Sequence, residues 1–351
     1  MKQDIKSMTL AELQDAFAAL GEPKFRAKQV FAWLHRGAVS FEAMTNLSKP
    51  LRETLDSLYF IHKPTVARKQ ISRLDGTIKY LWRLRDGNCV ESVVMQYHHG
   101  NTVCVSSQVG CRMGCAFCAS TIAGKVRDLT PSEILDQVIF AQKDSGLPIS
   151  NIVLMGIGEP LDNLDNVLRF LELVNHPDGL NIGMRHISLS TCGVIPGIDR
   201  LSDLELQLTL SVSLHAPNDE VRRKLMPVAR KYSMDDVLSA CRNYIEKTGR
   251  RVIFEYALVH GVNADPAQAV ELAGRLRGMQ CHVNLIPLNA VEERHLKGVN
   301  EQTVQRFLHK LEELHISATR RREMGDDIEG ACGQLRRKTL TTLHDPQGEE
   351  A

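Results

Sequence analysis

From residue 102 onward, six apolar runs alternate with amphipathic segments, and this alternation constrains the fold more than any other feature. The runs are TVCVS (102–106), NIVLMGIG (151–158), HISLSTCG (186–193), LQLTLSVSL (206–214), RVIFEYALV (251–259) and HVNLIPL (282–288). Strands this rich in Val, Ile and Leu are covered on both faces, and the long spacers supply crossover helices. Thr130-Pro131-Ser132-Glu133 opens one helix, with Thr as N-cap, Pro at the first helical position and Glu completing a capping box. Further helices are expected over roughly 163–174, 218–225, 234–247, 265–277 and 301–314. Six β/α units predict an α/β fold, an open or partial barrel with its active site at the C-terminal ends of the strands.

The first ~90 residues follow another pattern. Thr9-Leu-Ala-Glu12 is a capping box, followed by Leu10, Leu13, Phe17 and Leu20 at helical spacing. Gly21-Glu-Pro23 ends that helix. A second helix carries Val30, Trp33 and Leu34, and a third runs around Leu51–Leu58. Between Val66 and Tyr97, strand patterns are broken by Asp75-Gly76 and Asp86-Gly87, which read as hairpin turns. The expected divisions are a helical unit (1–62), a β extension (63–100), the barrel (101–338) and a polar tail (339–351) expected to be mobile.

A chain of 351 residues buries a large core without disulfides. With 43 % apolar and 24 % charged residues it is not disordered, collagen-like or a coiled coil. No apolar run reaches the ~18 residues of a transmembrane helix. The N-terminal MKQDIKSMTLAELQD lacks the apolar stretch of a signal peptide, so a cytoplasmic location is expected. A net charge of +1 excludes a uniformly basic nucleic-acid binder and leaves room for a local basic face.

Nine cysteines without an export signal point to metal binding or catalysis rather than to a disulfide framework. Cys111-Arg-Met-Gly-Cys115-Ala-Phe-Cys118 places three thiols in a Gly-containing loop after a strand. That spacing suits three corners of a 4Fe–4S cube, leaving one iron open to a ligand. The competing readings are a zinc site with a fourth ligand elsewhere and a chance group of core cysteines. Cys89, Cys192, Cys241 and Cys281 read as small buried hydrophobes. Gly156-Ile-Gly158-Glu159, Ser190 and Ser213-Leu-His215 close predicted strands, where polar groups serve either a ligand or the turn itself. Cys332 lies in Gly330-Ala-Cys-Gly333, whose small residues would let a ligand approach. Glu91, in VESVVM, reads from its pattern alone as a surface strand glutamate.

Basic residues cluster at Arg222-Arg-Lys224, Arg230-Lys231, Arg250-Arg251, Arg320-Arg-Arg322 and Arg336-Arg-Lys338. They read as solvated faces; the two runs flanking Cys332 are also suited to the phosphates of a polyanion. The N-terminal unit adds Lys24, Arg26, Lys28, His35 and Arg36 with Trp33, a set suited to shape recognition of a folded RNA.

CxxxCxxC with Phe117 before the last cysteine resembles the radical S-adenosylmethionine (SAM) signature. CVSSQVGC (104–111), MGIGEPLDN (155–163), LSTCG (189–193), SLHAPND (213–219), NLIPLN (284–289) and GDDIEGACGQL (325–335) resemble, in order, motifs of the RlmN/Cfr group. These are radical-SAM enzymes that methylate adenine in RNA, and the likeness covers nearly the whole chain. It implies a partial (β/α)6 radical-SAM barrel with a small N-terminal RNA-binding helical domain and a β-hairpin extension. It implies one 4Fe–4S cluster per chain on Cys111, Cys115 and Cys118, whose open iron chelates SAM. It assigns SAM contacts to Gly158, Glu159, Ser190, Ser213, Leu214, His215 and Asn289. The residue matching Cys332 accepts a methyl group from one SAM. A second SAM yields the radical that abstracts hydrogen from that methyl, and the methylene adds to adenine. Glu91 matches the proton acceptor, and Cys104 attacks Cys332 to release the product as a disulfide.

Val109 in SSQVGC resembles the carbon-2 branch; the alternative is the carbon-8 activity that gives ribosomal antibiotic resistance. The implied partners are 23S rRNA, tRNA methylated just 3′ of the anticodon, and a flavodoxin- or ferredoxin-like electron donor. A monomer with no membrane partner is expected. A zinc-stabilised, non-catalytic RNA-binding module is the remote alternative. The chain departs from the family pattern at Ala290, where proline is usual, and in the charged loop 290–300.

Overall fold

The computed structural model describes residues 2–288, 295–328 and Leu335. Ten strands form one sheet whose spatial order follows the chain. They are β1 (Thr65–Ile71), β2 (Ile78–Arg83), β3 (Cys89–Tyr97), β4 (Gly100–Cys104) and β5 (Ile149–Leu154), then β6 (Ile187–Thr191), β7 (Thr209–Ser213), β8 (Val252–Leu258), β9 (Cys281–Pro287) and β10 (Ala318–Arg320). β1 to β4 are antiparallel; the two Asp-Gly turns expected from the sequence join β1 to β2 and β2 to β3, and His98-His99 joins β3 to β4. β4 to β10 are parallel throughout. Six crossovers therefore separate seven parallel strands, which is the partial barrel expected from the apolar runs, closed at its edge by the short β10.

Each apolar run outlasts its strand. The run 151–158 leaves the sheet after Leu154, and 186–193 leaves after Thr191. The residues left over form the rim at the strands' C-terminal ends. The expected helices appear as α4 (Pro131–Ser145), α5 (Leu164–Asn175), α7 (Asp219–Leu225), α8 (Met234–Thr248), α9 (Pro266–Leu276) and α10 (Glu301–Glu313), with α1 to α3 in the N-terminal unit at Leu10–Ala19, Lys24–His35 and Lys49–Leu58. Both predicted capping boxes form: Thr9 with Glu12 and Thr130 with Glu133. α6 (Ile195–Asp203) was not expected, because Ile195-Pro-Gly reads as a turn. Pro196 instead occupies the helix start, and the missing side chain at Gly197 lets the helix pack on Leu161, which a Cβ would meet at 2.7 Å.

The helical unit has no core of its own. Phe17, Phe31 and Leu55 belong to the same buried cluster as Val138 of α4 and Leu189 of β6. Beneath them Lys6, fully buried, donates to Asp136 of α4 at 2.5 Å, and His62 bonds the other carboxylate oxygen at 2.6 Å. A buried pair completed by further hydrogen bonds fixes one docking arrangement, and removing one partner is costly. No helix among the described residues is long and apolar enough to cross a membrane.

Candidate active site

The cysteine loop is held from three sides. Gln108–Gly110 and Lys125–Asp128 pair antiparallel and bring both ends of the loop together, and the Cys111 N–H donates to the Gly124 carbonyl. Gly110 sits at φ +76°, and a Cβ there would lie 1.9 Å from the Gly124 oxygen, so this turn requires glycine. Asp162, from the loop after β5, accepts from Gln108 at 2.9 Å and Lys125 at 2.9 Å and pairs with Arg112 inside the cysteine loop. Burial alone would raise its carboxyl; these donors hold it below the usual range. From the other side the Ala116 N–H donates to the Leu225 carbonyl of α7 at 2.8 Å.

Above this loop, at the C-terminal ends of the strands, lies a cavity of about 350 Å³. Cys104, Cys111, Cys115, Cys118, Gly158, Glu159, Ser190, Ser213 and His215 all line it. Residues up to 111 positions apart in the motif reading, Cys104 and His215, thus meet at one place. Leu214 is buried behind the wall, its N–H on the Glu255 carbonyl, and is not a lining residue. Asn289 and Cys332 lie outside the described residues.

Glu91 is not on the cavity wall. Buried on β3, it stands 3.1 Å from Lys79 Nζ of β2, so its surface reading is corrected: pairing with Lys79 offsets the cost of hiding its charge. Leu335 is buried against Leu81 and Cys89, on the same sheet. At the start of the motif that holds Cys332, Asp327 accepts from Ser72 Oγ and the Arg73 N–H, and the Gly325 N–H donates to Asp75, tying that segment to the hairpin turn.

The polar groups of the cavity are oriented by backbone. Glu159 accepts from the Cys192 N–H at 2.7 Å and the Leu161 N–H at 3.0 Å. Burial nevertheless pushes its carboxyl upward. His215 adopts φ +54°, and its Nδ1 accepts the Ala257 N–H at 2.9 Å. Burial, with the nearby Arg222 charge, lowers its pKa to about 3. The neutral ring therefore carries its proton on Nε2 and is a donor there. Phe117 meets the same ring edge-on at 4.7 Å.

Several residues escaped the sequence reading. Cys192, taken there for a core residue, lines the cavity and clusters with Cys115. Glu255 of β8 lines it too; Asn284 donates to one oxygen at 3.1 Å, and the other, buried, has no hydrogen-bond partner among the described residues. Its FEY context is an ordinary strand pattern, so only the cavity shows the exposure of Glu255 to a ligand. Arg222, counted in a solvated basic run, is fully buried. In the run 320–322, Arg320 is occupied by Glu301 and Glu323, whereas Arg321 and Arg322 reach the cavity. In the N-terminal set His35 is buried and Lys28 pairs with Asp178, while Lys24 and Arg36 remain exposed.

The donor set fits an iron–sulfur cluster. Burial raises the Cys111 thiol to about 12 and pushes Cys115 upward as well. Such thiols ionise when a metal supplies the compensating positive charge. Among the described residues no three His, Cys, Asp or Glu groups converge to hold a single metal ion. The three thiols instead all line one cavity, as ligands to the separated iron corners of a cube would.

Comparison with known proteins agrees with this geometry. Residues 105–273 match the model of the radical SAM superfamily, and residues 3–61 match the ribosomal RNA large subunit methyltransferase N-terminal domain. A protein of Lachnospira eligens named "Probable dual-specificity RNA methyltransferase RlmN" is 54 % identical over 98 % of this chain and 99 % of its own length. One of Alkaliphilus oremlandii with the same name is 53 % identical over 97 % of this chain and 99 % of its own. The crystal structure of a radical SAM methyltransferase from Sphaerobacter thermophilus superposes with a TM-score of 0.90 at 44 % identity, covering 95 % of this chain and 98 % of that one. A cysteine loop at the strand ends of a partial barrel, joined to this N-terminal domain, places the chain in the RlmN family of radical SAM RNA methyltransferases.

Proposed function

We propose that the protein methylates carbon 2 of adenosine in 23S rRNA and in tRNA, 3′ of the anticodon, by way of a methylated Cys332. The observation that carries this reading is the joining of Cys104, the three loop cysteines and the strand-end polar set in one cavity. Cys111, Cys115 and Cys118 would hold one 4Fe–4S cluster, which when bound supplies the electron that cleaves SAM reductively. Gly158, Glu159, Ser190, Ser213, His215 and Asn289 would hold SAM, with Leu214 backing the wall. Glu159 presents a carboxylate already oriented by two backbone donors, suited to an ammonium or a ribose hydroxyl. His215 Nε2 is available as a donor.

Cys332 would carry the methyl group and Cys104 would release the product by attacking its sulfur. Cys104 ends β4, facing Val93 and Met95 of β3 and packed by Met155 and Met324. The burial of Leu335, three positions beyond Cys332, against the sheet that bears Glu91 supports a meeting of these groups. Glu91 would take the ring proton whose loss restores aromaticity. Arg321 and Arg322 at the cavity rim offer cations for RNA phosphates. A flavodoxin- or ferredoxin-like donor would deliver electrons to a cytoplasmic monomer.

The test is nucleoside mass spectrometry. Unmodified 23S rRNA and tRNA, incubated anaerobically with reconstituted protein, SAM and reductant, should both yield 2-methyladenosine. 8-Methyladenosine would move the protein to the carbon-8 activity; no methyladenosine would overturn the reading.

A further inference from the structure

Arg222 is a buried cation beside the site whose charge is not met by a carboxylate among the described residues. It projects from α7, one turn before the Leu225 carbonyl that receives the cysteine loop. Its side chain is fully buried, among the largest so hidden. One terminal nitrogen donates to the Cys192 carbonyl at 2.7 Å and the other to the Tyr232 carbonyl at 3.4 Å, while Nε has no acceptor among the described residues. Among the described residues no carboxylate forms an ion pair with it. Asp219, on the same helix, accepts instead from the Met234 N–H. Cys192, Asp219, Cys115, Cys241 and His215 all feel the Arg222 charge. Cys192 and Cys115 belong to one buried cluster with Leu225 and Met226, directly beneath the cavity.

A guanidinium cannot shed its charge in a protein, and an unpaired buried charge is costly unless a counter-charge is supplied. The cube that Cys111, Cys115 and Cys118 would hold supplies one. A 4Fe–4S core of formal charge two plus on three thiolates is a monoanion, and one added electron makes it a dianion. We propose that Arg222 is the built-in counter-ion of the iron–sulfur cluster and raises its reduction potential. This rests on the cluster reading above. A fixed cation attracts the dianion about twice as strongly as the monoanion, the more so in a medium of low dielectric, so the electron enters more easily. In the metal-free chain the same residue is a liability. Folding and cluster loading are thereby coupled: the loaded protein gains what the empty one lacks.

The experiment uses the full chain, empty and anaerobically reconstituted, as the parent and as Arg222→Met, Arg222→Gln and Arg222→Lys. The readouts are iron and sulfide content, thermal unfolding, and the midpoint potential from a redox titration followed by electron paramagnetic resonance. Both neutral variants should take up the cluster with the reduction equilibrium weakened roughly tenfold or more, a fall of about 59 mV for a one-electron couple. Arg222→Lys should stay near the parent. The empty neutral variants should unfold at or above the parent's temperature, and their gain on cluster loading should shrink. Unchanged potentials in both neutral variants overturn the proposal, as does a lysine variant that falls as far as methionine. Failure of both empty neutral variants to fold overturns it too, since Arg222 would then be a structural strut. A parent that binds no iron and sulfide defeats the cluster reading itself, which separates the two failures.

Discussion

Cys104 and Cys192 both line the cavity, yet they reached it by different routes. Cys104 was legible because CVSSQVGC (104–111) resembles a family motif in which the matching cysteine has a role. Cys192 was not, since nothing local separates a cysteine after β6 from a core residue; only the fold brings it beside Cys115. Arg222 and Glu255 were missed for the same reason: burial is a tertiary property, invisible in a run of three basic residues or in one strand. The roles proposed for Cys104 and Cys332 make a sharp prediction. Once the methylene carried by Cys332 is bonded to adenine, a carbon–sulfur bond joins protein to RNA. Its heterolysis needs a thiolate at the Cys332 sulfur, with the electron pair passing to the methylene carbon. Cys104→Ala should therefore accumulate RNA-linked protein that survives heat and reductant and collapses with nuclease, while Cys332→Ala should form none. Normal turnover by Cys104→Ala without that species would rule out the two-cysteine release.

The elements were legible where their signals were local. Capping boxes, Asp-Gly turns and apolar runs gave nine of the ten α-helices among the described residues and the direction of the sheet. α6 was hidden because Pro and Gly mark turns as readily as helix starts. The strand ends were overdrawn, because the apolar residues after Leu154 and Thr191 line a rim instead of continuing the ladder. The ribbon that closes the cysteine loop is the element most sensitive to a single change. Alanine at Gly110 must hold φ near +76° and displace the Gly124 carbonyl that accepts the Cys111 N–H. Gly110→Ala should cost roughly 2–4 kcal/mol, read from urea unfolding of the empty chain. Its iron content after reconstitution should fall well below that of the parent. Parental stability with full iron loading would show that the ribbon does not set the loop.

At the scale of the whole molecule, the helical unit, the hairpin strands and the barrel share one core and one sheet, which the division into segments at 62 and 100 did not anticipate. The long-range ties are buried and polar, and His35 is one of them. Packed between Phe31 and Gly179, it is held neutral by burial, at about 4. The unfolded chain binds this proton near 6.5, so acidification favours unfolding. The contribution is complete above about pH 6.5 and is lost progressively as pH falls toward 4; it amounts to about 3 kcal/mol. His215, neutral down to about 3, adds a loss of the same sign. Urea unfolding at pH 7 and pH 5 should show the parent losing stability more steeply than His35→Gln; equal slopes would contradict this account of His35. The central claim concerns the route of the methyl group through the chain's own cysteine, and an isotope label follows it most directly. With SAM bearing a trideuterated methyl, the product adenosine should carry a methyl with two deuteriums, and 5′-deoxyadenosine should carry the third. A trideuterated methyl on the adenine, with unlabelled 5′-deoxyadenosine, would mean direct transfer from SAM and would contradict the account.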